Sequence, residues 1–180
     1  VEFRYDDIHE VGLYRTRERE RLSTVRKDKV DEFSVGVFYE LAWHISERWR
    51  TVLGIRGDYY DFDVTADNPV NSGDDSDSII SPKASLIYTI SDALEAYASG
   101  GFGFHSNDAR GTTISVDPVT GDPVEPVDPL VRSRGGEIGF RRYGSSGWIG
   151  SLAAWVLKLD SELLFIGDAD QLPSVGPGNV

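Results

Sequence analysis

The residues that could carry out acid–base chemistry are few and scattered along this chain. Its histidines are His9, His44 and His105, and they are far apart in the sequence. General acid–base catalysis needs side chains within hydrogen-bond reach of one reacting atom. His105 and Asp108 could form such a pair, but no Ser/His/Asp order accompanies them. We therefore predict no catalytic residues and no cofactor.

Acidic side chains between residues 61 and 77 could instead supply oxygen ligands to calcium. The segment contains Asp61, Asp63, Asp67, Asp74, Asp75 and Asp77. Their spacing matches no EF-hand loop, in which the ligands recur at fixed positions. An acidic external loop is usually just solvated, so we predict no metal site. Binding of a divalent ion, including one that bridges to lipopolysaccharide, stays open as the alternative.

The glycines of Gly101–His105 could suggest a loop that binds phosphate. Such loops open a helix, whose N-terminus receives the anion. No helical pattern follows here, and the glycines fall within a strand pattern. Glycines in a strand mark a bend or a close approach of another group, so we reject nucleotide binding.

Composition excludes several further classes of protein. The 180 residues include 18 basic and 30 acidic ones, for a formal charge of −12, which argues against nucleic-acid binding. The chain has no cysteine, so zinc fingers, thiol catalysis and disulfide frameworks are absent. No apolar run reaches the length of a transmembrane helix. A membrane role would have to come from strands.

A period of two predicts those strands. The odd positions from 33 to 43 are all apolar, whereas the even positions include Glu40 and His44. The segment 49–60 repeats the pattern, with its charges confined to one face. Strict alternation over such lengths is typical of strands that have two different environments on their two faces.

Four more segments continue the series. They span residues 82–90, 94–104, 132–143 and 148–163. The last has two apolar faces, with Trp155 and Leu157 on one and Leu152 and Val156 on the other. The sequence alone therefore leaves its outward face open.

The connections between these strands alternate in length. Those at 44–48, 91–93 and 144–147 are short, whereas those at 65–79 and 106–131 are long, polar and rich in turn residues. Outer-membrane barrels have tight periplasmic turns and long external loops. By this rule we expect residues 6–29 to be another external loop, preceded by the end of a strand at 1–5.

Aromatic side chains support a membrane-spanning arrangement, because they prefer the interface between lipid and water. Trp49 and Tyr59 share a face, roughly 33 Å apart along an extended strand. A tilt of roughly 45° reduces this to about 23 Å, close to the apolar band of about 25 Å in such barrels. The predicted lower girdle is Trp43, Trp49, Tyr143 and Trp148, and the predicted upper girdle is Tyr59 and Phe104.

The polar face carries charges in mid-strand, which a water-filled lumen accepts. The predicted lumen-facing residues are Arg56, Lys83, Glu95, Glu137 and Arg141. The strands also exceed the usual five or six residues of globular sheets. We predict an all-β fold: a segment of an antiparallel up-and-down transmembrane β-barrel. The alternatives are a soluble β-sandwich that binds a ligand and a passive porin.

The order and spacing of several segments resemble the barrel of TonB-dependent outer-membrane receptors. They are Arg50–Tyr60, Ser81–Tyr88, Glu95–Asp108, Gly135–Arg141 and Leu157–Leu163. The resemblance implies a barrel of about 22 strands closed by a plug, which imports a scarce ligand with energy delivered by TonB. We expect residues 1–180 to be a partial barrel domain of about six or seven strands, without the plug.

The resemblance also implies an outer-membrane location and a set of partners. These are membrane lipid, the TonB complex through the plug, and a small nutrient such as a ferric siderophore or vitamin, with no nucleic acid. Recognition commonly lies on loops held by a rigid scaffold. We therefore expect ligand contacts from His105, Asn107, Asp108 and Arg110, where a strand enters its long loop. These four residues could instead cap the loop. The lumenal charges would pair with one another or hold the plug.

Overall fold

All strands of the described chain belong to one antiparallel sheet. The computed structural model describes residues 1–143 and 149–160. Each strand pairs with the next one in the sequence, which confirms the predicted up-and-down order and gives a half-barrel. The strands are β1 (Glu2–Arg17), β2 (Glu20–His44), β3 (Trp49–Thr65), β4 (Gly73–Ser91), β5 (Leu94–Ser106), β6 (Leu130–Arg142) and β7 (Gly150–Leu159).

The register of the sheet gathers the apolar residues on one side, here called the outer face. Leu53 on β3 lies opposite Leu41 on β2 and Ala84 on β4. Large apolar side chains on this face are exposed, including Trp43 at 57% and Ile138 at 63%. Val35, Leu53, Leu86 and Phe140 therefore lie on the surface of a single sheet. The β-sandwich alternative is wrong, because the described residues contain no second sheet that covers this face.

Register also assigns the two apolar faces of β7. Leu152 lies opposite Phe140 and is on the outer face, whereas Trp155 lies opposite Glu137 and is on the inner face. The predicted turn at 144–147, Trp148 and residues 161–163 lie outside the described residues.

The expected external loop at residues 6–29 is wrong. β1 and β2 continue through it as a two-stranded ribbon that closes at Glu18 and Arg19, whose φ angles are 51° and 69°. Two-residue hairpin turns with positive φ at both positions match the twist of the flanking strands. The pairing of β2 with β3 ends at Lys29 and Thr65, so residues 9–28, the ribbon, pair only with each other. Beyond the base of the ribbon at residues 26–28, water on both faces removes the apolar alternation by which strands are recognised.

The expected loop at residues 65–79 is also too long. β3 and β4 pair as far as Val64 and Gly73, so the connection is only Ala66–Ser72. Most of the acidic residues in this segment therefore lie on strands above the apolar band. The long connection after β5 and the short turns after β2 and β4 are confirmed.

A small apolar cluster lies at the end of the sheet that carries the long connections. It consists of Val30, Phe62, Val64, Ala66 and Ala109. Ala109 comes from a single helical turn, α1 (Ala109–Thr112), in the β5–β6 loop. Among the described residues, no helix is long and apolar enough to cross a membrane.

Candidate functional site: the inner wall and mouth of the half-barrel

Charged side chains line the inner face in the pattern that alternation predicts. Arg56, Lys83, Glu95, Glu137 and Arg141 all have the same parity in the sheet register. Their partners are mostly other residues of the wall rather than one another. The wall is therefore a network of local ion pairs and hydrogen bonds.

One ion pair crosses a strand by passing over a glycine. Lys83 Nζ on β4 lies 2.7 Å from Glu40 Oε2 on β2. Gly54 is the residue of β3 that lies between them in the register. A Cβ atom at this position would lie 2.5 Å from Lys83 Cε. The glycine thus leaves the space in which the lysine stem lies.

Arg56 uses a second glycine in the same way. Its Nη1 atom lies 2.8 Å from Glu2 Oε2 on β1, and its Nη2 atom lies 2.7 Å from Asp58 Oδ1. A Cβ atom at Gly36 on the intervening β2 would lie 2.3 Å from the same Nη2 atom. These two glycines have no side chain, and the long polar side chains of Lys83 and Arg56 lie across them.

Toward the other end of the wall, Tyr97 links two charged residues of β6. Its hydroxyl donates a hydrogen bond to Glu137, and the Arg141 guanidinium lies 4.0 Å from its ring centroid. A guanidinium in this position is attracted by the negative face of the ring. Glu95 is held by Arg50, with 3.7 Å between the charged atoms.

At the mouth, Asn71 joins the β3–β4 loop to the β5–β6 loop. It is 1% exposed. Its Oδ1 atom accepts hydrogen bonds from the backbone N–H groups of Ser115 and Val116, both at 2.9 Å, and its Nδ2 atom donates to the Val116 carbonyl at 3.0 Å. The Thr113 hydroxyl donates to the Asn71 carbonyl at 2.9 Å.

A buried ion pair lies at the base of the ribbon, next to the β3–β4 loop. Arg26 Nε lies 2.5 Å from Asp28 Oδ2, and the two side chains are 9% and 0% exposed. Asp28 also accepts a hydrogen bond from the Asp67 N–H, and Asp67 accepts one from the Lys27 N–H. We call the assembly of residues 26–30, 66–72 and 107–129 the cap.

Of the four predicted ligand contacts, three lie in the cap and His105 lies next to it. His105 is in the last paired stretch of β5, opposite Val131. Asn107 joins the two ends of the loop, since its N–H donates to the Pro129 carbonyl and its Nδ2 to the Asp128 carbonyl. The structure therefore gives Asn107 a clear role in holding the loop.

Asp108 and Arg110 form a second local unit. Asp108 caps α1 by accepting from the Arg110 N–H at 2.9 Å, and the Arg110 guanidinium donates to both carboxylate oxygens. The hydrogen bonds from Arg110 lower the pKa of the Asp108 carboxyl, and those to Asp108 raise the pKa of Arg110. The pair is a preformed charged group beside the mouth.

The described aromatic residues of the predicted girdles lie at two levels of the sheet. Trp43, Trp49 and Tyr143 are exposed next to the short turns, and the Trp49 ring lies 4.7 Å from that of Tyr88. At the upper level, Tyr59 is exposed on the outer face. Phe104 instead places its ring 5.8 Å from the ring of Tyr60, which stacks on buried Phe62. Tyr5 and Phe33, a directly opposed pair, are upper-level aromatics that the sequence analysis missed.

The acidic residues do not converge. In the part of the chain that the structure describes, no three His, Cys, Asp or Glu side chains are grouped as metal ligands are. Asp63 and Asp74 are directly opposed on β3 and β4, and both are exposed to solvent.

The family model described as "TonB dependent receptor-like, beta-barrel" matches residues 2–179. The chain belongs to the TonB-dependent receptor family. This membership places it in the outer membrane. No curated protein matches the chain.

Two solved structures have a similar fold. The alcaligin outer-membrane receptor FauA from Bordetella pertussis is 20% identical with a TM-score of 0.55, over 74% of this chain and 21% of that chain. The copper transporter OprC is 15% identical with a TM-score of 0.57, over 82% and 24%. This TonB-dependent receptor chain thus spans about a fifth to a quarter of the lengths of the structures it matches.

The sequence analysis missed the cap. Asn71 lies in a short polar loop, and nothing in its neighbours distinguishes it from a solvated asparagine. The sequence gives one weak signal: Phe62 and Val64 are apolar residues on the polar face of β3, and both are buried in the structure.

Proposed function

We propose that this chain forms part of the barrel of a receptor that captures a scarce nutrient outside the cell and imports it with energy from TonB. The observation that carries the proposal is the family match over nearly the whole chain. The ordered cap and the charged inner wall support it, because a receptor needs a binding mouth above a hydrated passage. In this proposal residues 1–180 are a partial barrel domain, and a plug domain closes the complete barrel and contacts TonB.

The proposed substrate is a small metal chelate, with a ferric siderophore as the first candidate. The similarity in fold to an alcaligin receptor and to a copper transporter supports this class. A preformed charged pair such as Asp108 and Arg110 suits a polar ligand with several hydrogen-bonding groups. We propose His105, Asn107, Asp108 and Arg110 as contacts, and binding and transport without covalent chemistry as the activity.

Uptake by cells tests this function. A strain that lacks the gene would be complemented with the full-length protein and supplied with radiolabelled ferric alcaligin, other ferric siderophores, cobalamin or copper(II). We expect saturable uptake of one of them, lost when TonB is deleted. Uptake that persists without TonB would favour the passive porin, and no receptor-dependent uptake of any probe would contradict the proposed substrate class.

A further inference from the structure

The β5–β6 loop is the longest connection in the described chain, and it carries three of the four proposed ligand contacts. Loops of this length on a barrel rim are commonly mobile and close over a ligand after it binds. In this chain the loop is held at three places, two on neighbouring elements and one between its own two ends. Each one is made by a buried or half-buried group, which argues against free movement.

The first attachment is the set of hydrogen bonds to Asn71. An asparagine side chain offers two donors and one oxygen with two acceptor sites. Three of these four are used on Ser115 and Val116, across 44 and 45 residues of sequence. Because Asn71 is 1% exposed, water cannot replace these bonds without opening the contact.

The second attachment is apolar. Ala109 of α1 is 4% exposed and packs in the cluster with Phe62 and Val64 of β3. The third is at the start of the loop, where Asn107 bonds to the carbonyls of Pro129 and Asp128. The two ends of the loop are thereby closed on each other at the top of β5 and β6.

We propose that Asn71 is a positioning residue that fastens the β3–β4 and β5–β6 loops into one rigid cap. The β5–β6 loop is then a fixed wall of the mouth and not an independent lid. Asp108 and Arg110 are held in place before any ligand arrives. This role rests on the proposed function only where it concerns the ligand; the rigidity of the cap is a property of the chain itself.

Spin labels can measure that rigidity without a ligand. The chain has no cysteine of its own, so Ser76→Cys on β4 and Val119→Cys on the β5–β6 loop give unique sites in this chain, and both residues are exposed. We expect a narrow distance distribution for the full-length protein in outer membranes. Asn71→Ala should widen it by about twofold or more, because it removes the three side-chain hydrogen bonds of Asn71 to Ser115 and Val116.

Two further variants make the test specific. Thr113→Val removes a single hydrogen bond between the same loops and should widen the distribution less. Asn68→Ala changes the same residue type in the same short loop but removes only a bond to its near neighbour Val70, so the width should not change. If Asn71→Ala fails to reach the membrane, Thr113→Val still decides the matter. Widths that stay unchanged in whichever of Asn71→Ala and Thr113→Val assembles would overturn the proposal.

Uptake kinetics separate positioning from a general loss of receptor. With ferric alcaligin as the probe, Asn71→Ala should raise the apparent KM roughly fivefold and leave the maximal rate unchanged, since only the capture step is weakened. A lower maximal rate with an unchanged KM would mean fewer folded receptors and would contradict a positioning role. If no variant takes up the probe, this substrate is wrong, whereas the spin-label widths still decide the role of Asn71.

Discussion

Lys83 on β4 and Glu40 on β2 form a 2.7 Å ion pair that passes over Gly54 on the strand between them. Arg56 crosses Gly36 to reach Glu2 in the same way. The lumen wall therefore places glycines where long charged side chains need room. A hydrated lumen accepts both partners of each pair, so these pairs shape the wall more than they stabilise it.

Gly54→Ala should abolish the Lys83–Glu40 pair at little cost in stability. The new Cβ atom would meet the lysine stem, and the flexible side chain can swing away into the lumen. Both charged side chains are about half exposed or more, so the free energy of unfolding should fall by less than about 1 kcal/mol. Urea unfolding of the full-length protein in bilayers measures this, and a loss of several kcal/mol would refute the account.

Gly139→Ala should be more harmful, although it adds the same methyl group. At this position a Cβ atom would lie 2.6 Å from the Leu152 carbonyl oxygen and 2.8 Å from the Tyr97 hydroxyl. The carbonyl belongs to the neighbouring strand and cannot rotate away. We expect a loss of about 1–3 kcal/mol, as for other overpacked sites.

Gly57→Ala is the matched control for both glycine variants. No atom lies within 4 Å of a Cβ built at Gly57, so the free energy of unfolding should change little. Equal losses for the alanine variants of Gly139 and Gly57 would show that strand glycines matter here only through backbone entropy.

Two neighbouring residues of β3 test which side of the sheet faces lipid. Leu53 is 42% exposed on the outer face near mid-height, and Val52 points to the opposite face. Leu53→Arg should cost about 2–4 kcal/mol, the penalty for a cation at the bilayer midplane of a barrel. Val52→Arg should cost much less because its charge reaches the lumen. Similar losses in bilayer unfolding experiments would contradict the assignment of the faces.

The sequence predicted the strands and the two faces of the sheet well at residues 33–44 and 49–60, because apolar and polar residues alternate strictly there and the register keeps the apolar ones on one face. The pattern disappears in most of the ribbon, where both faces of β1 and β2 meet water beyond the base at residues 26–28, so the ribbon was taken for a loop. The outward face of β7 required the register, since both of its faces are apolar.

The candidate site was predictable only in part. The face on which the charged side chains lie follows from alternation. Their partners, such as Glu40 for Lys83, depend on which glycines leave room for a side chain to cross the strand in between. The cap depends on contacts between residues more than 40 positions apart, such as Asn71 and Val116. No local pattern encodes such contacts.

The buried pair of Arg26 and Asp28 should hold the base of the ribbon. Arg26→Met leaves the Asp28 carboxylate buried without its cation, and we expect a loss of about 3–5 kcal/mol in the local stability of the cap. Adding Asp28→Asn to this variant should recover part of the loss, because the unpaired charge is removed. Hydrogen exchange at the Val30 and Asp67 amides reports this stability. Additive losses in the double variant would show that the two residues act independently.

The pH at which α1 loses its cap depends on Arg110. The Arg110 guanidinium lowers the pKa of Asp108, so the carboxylate contributes stability that is fully present above its ordinary pKa of about 3.9. This contribution is lost only as the pH falls through the lowered value. A spin label at Val127→Cys, whose N–H donates to the Gly111 carbonyl, should therefore keep its mobility from pH 7 to about pH 5 and become more mobile below about pH 4.

Asp108→Asn separates this titration from that of other carboxyls. An asparagine side chain caps a helix about as well as an aspartate does but does not titrate, so the label should show no acid transition from this site. Asp117→Asn is the second control, because backbone N–H groups of Thr120 and Val119 lower the pKa of Asp117 in the same loop. A transition that survives Asp108→Asn but disappears with Asp117→Asn would assign the acid sensitivity to the turn at residues 117–120. A transition between pH 7 and pH 5 that requires Asp108 would mean that Arg110 does not hold this carboxylate in its charged form.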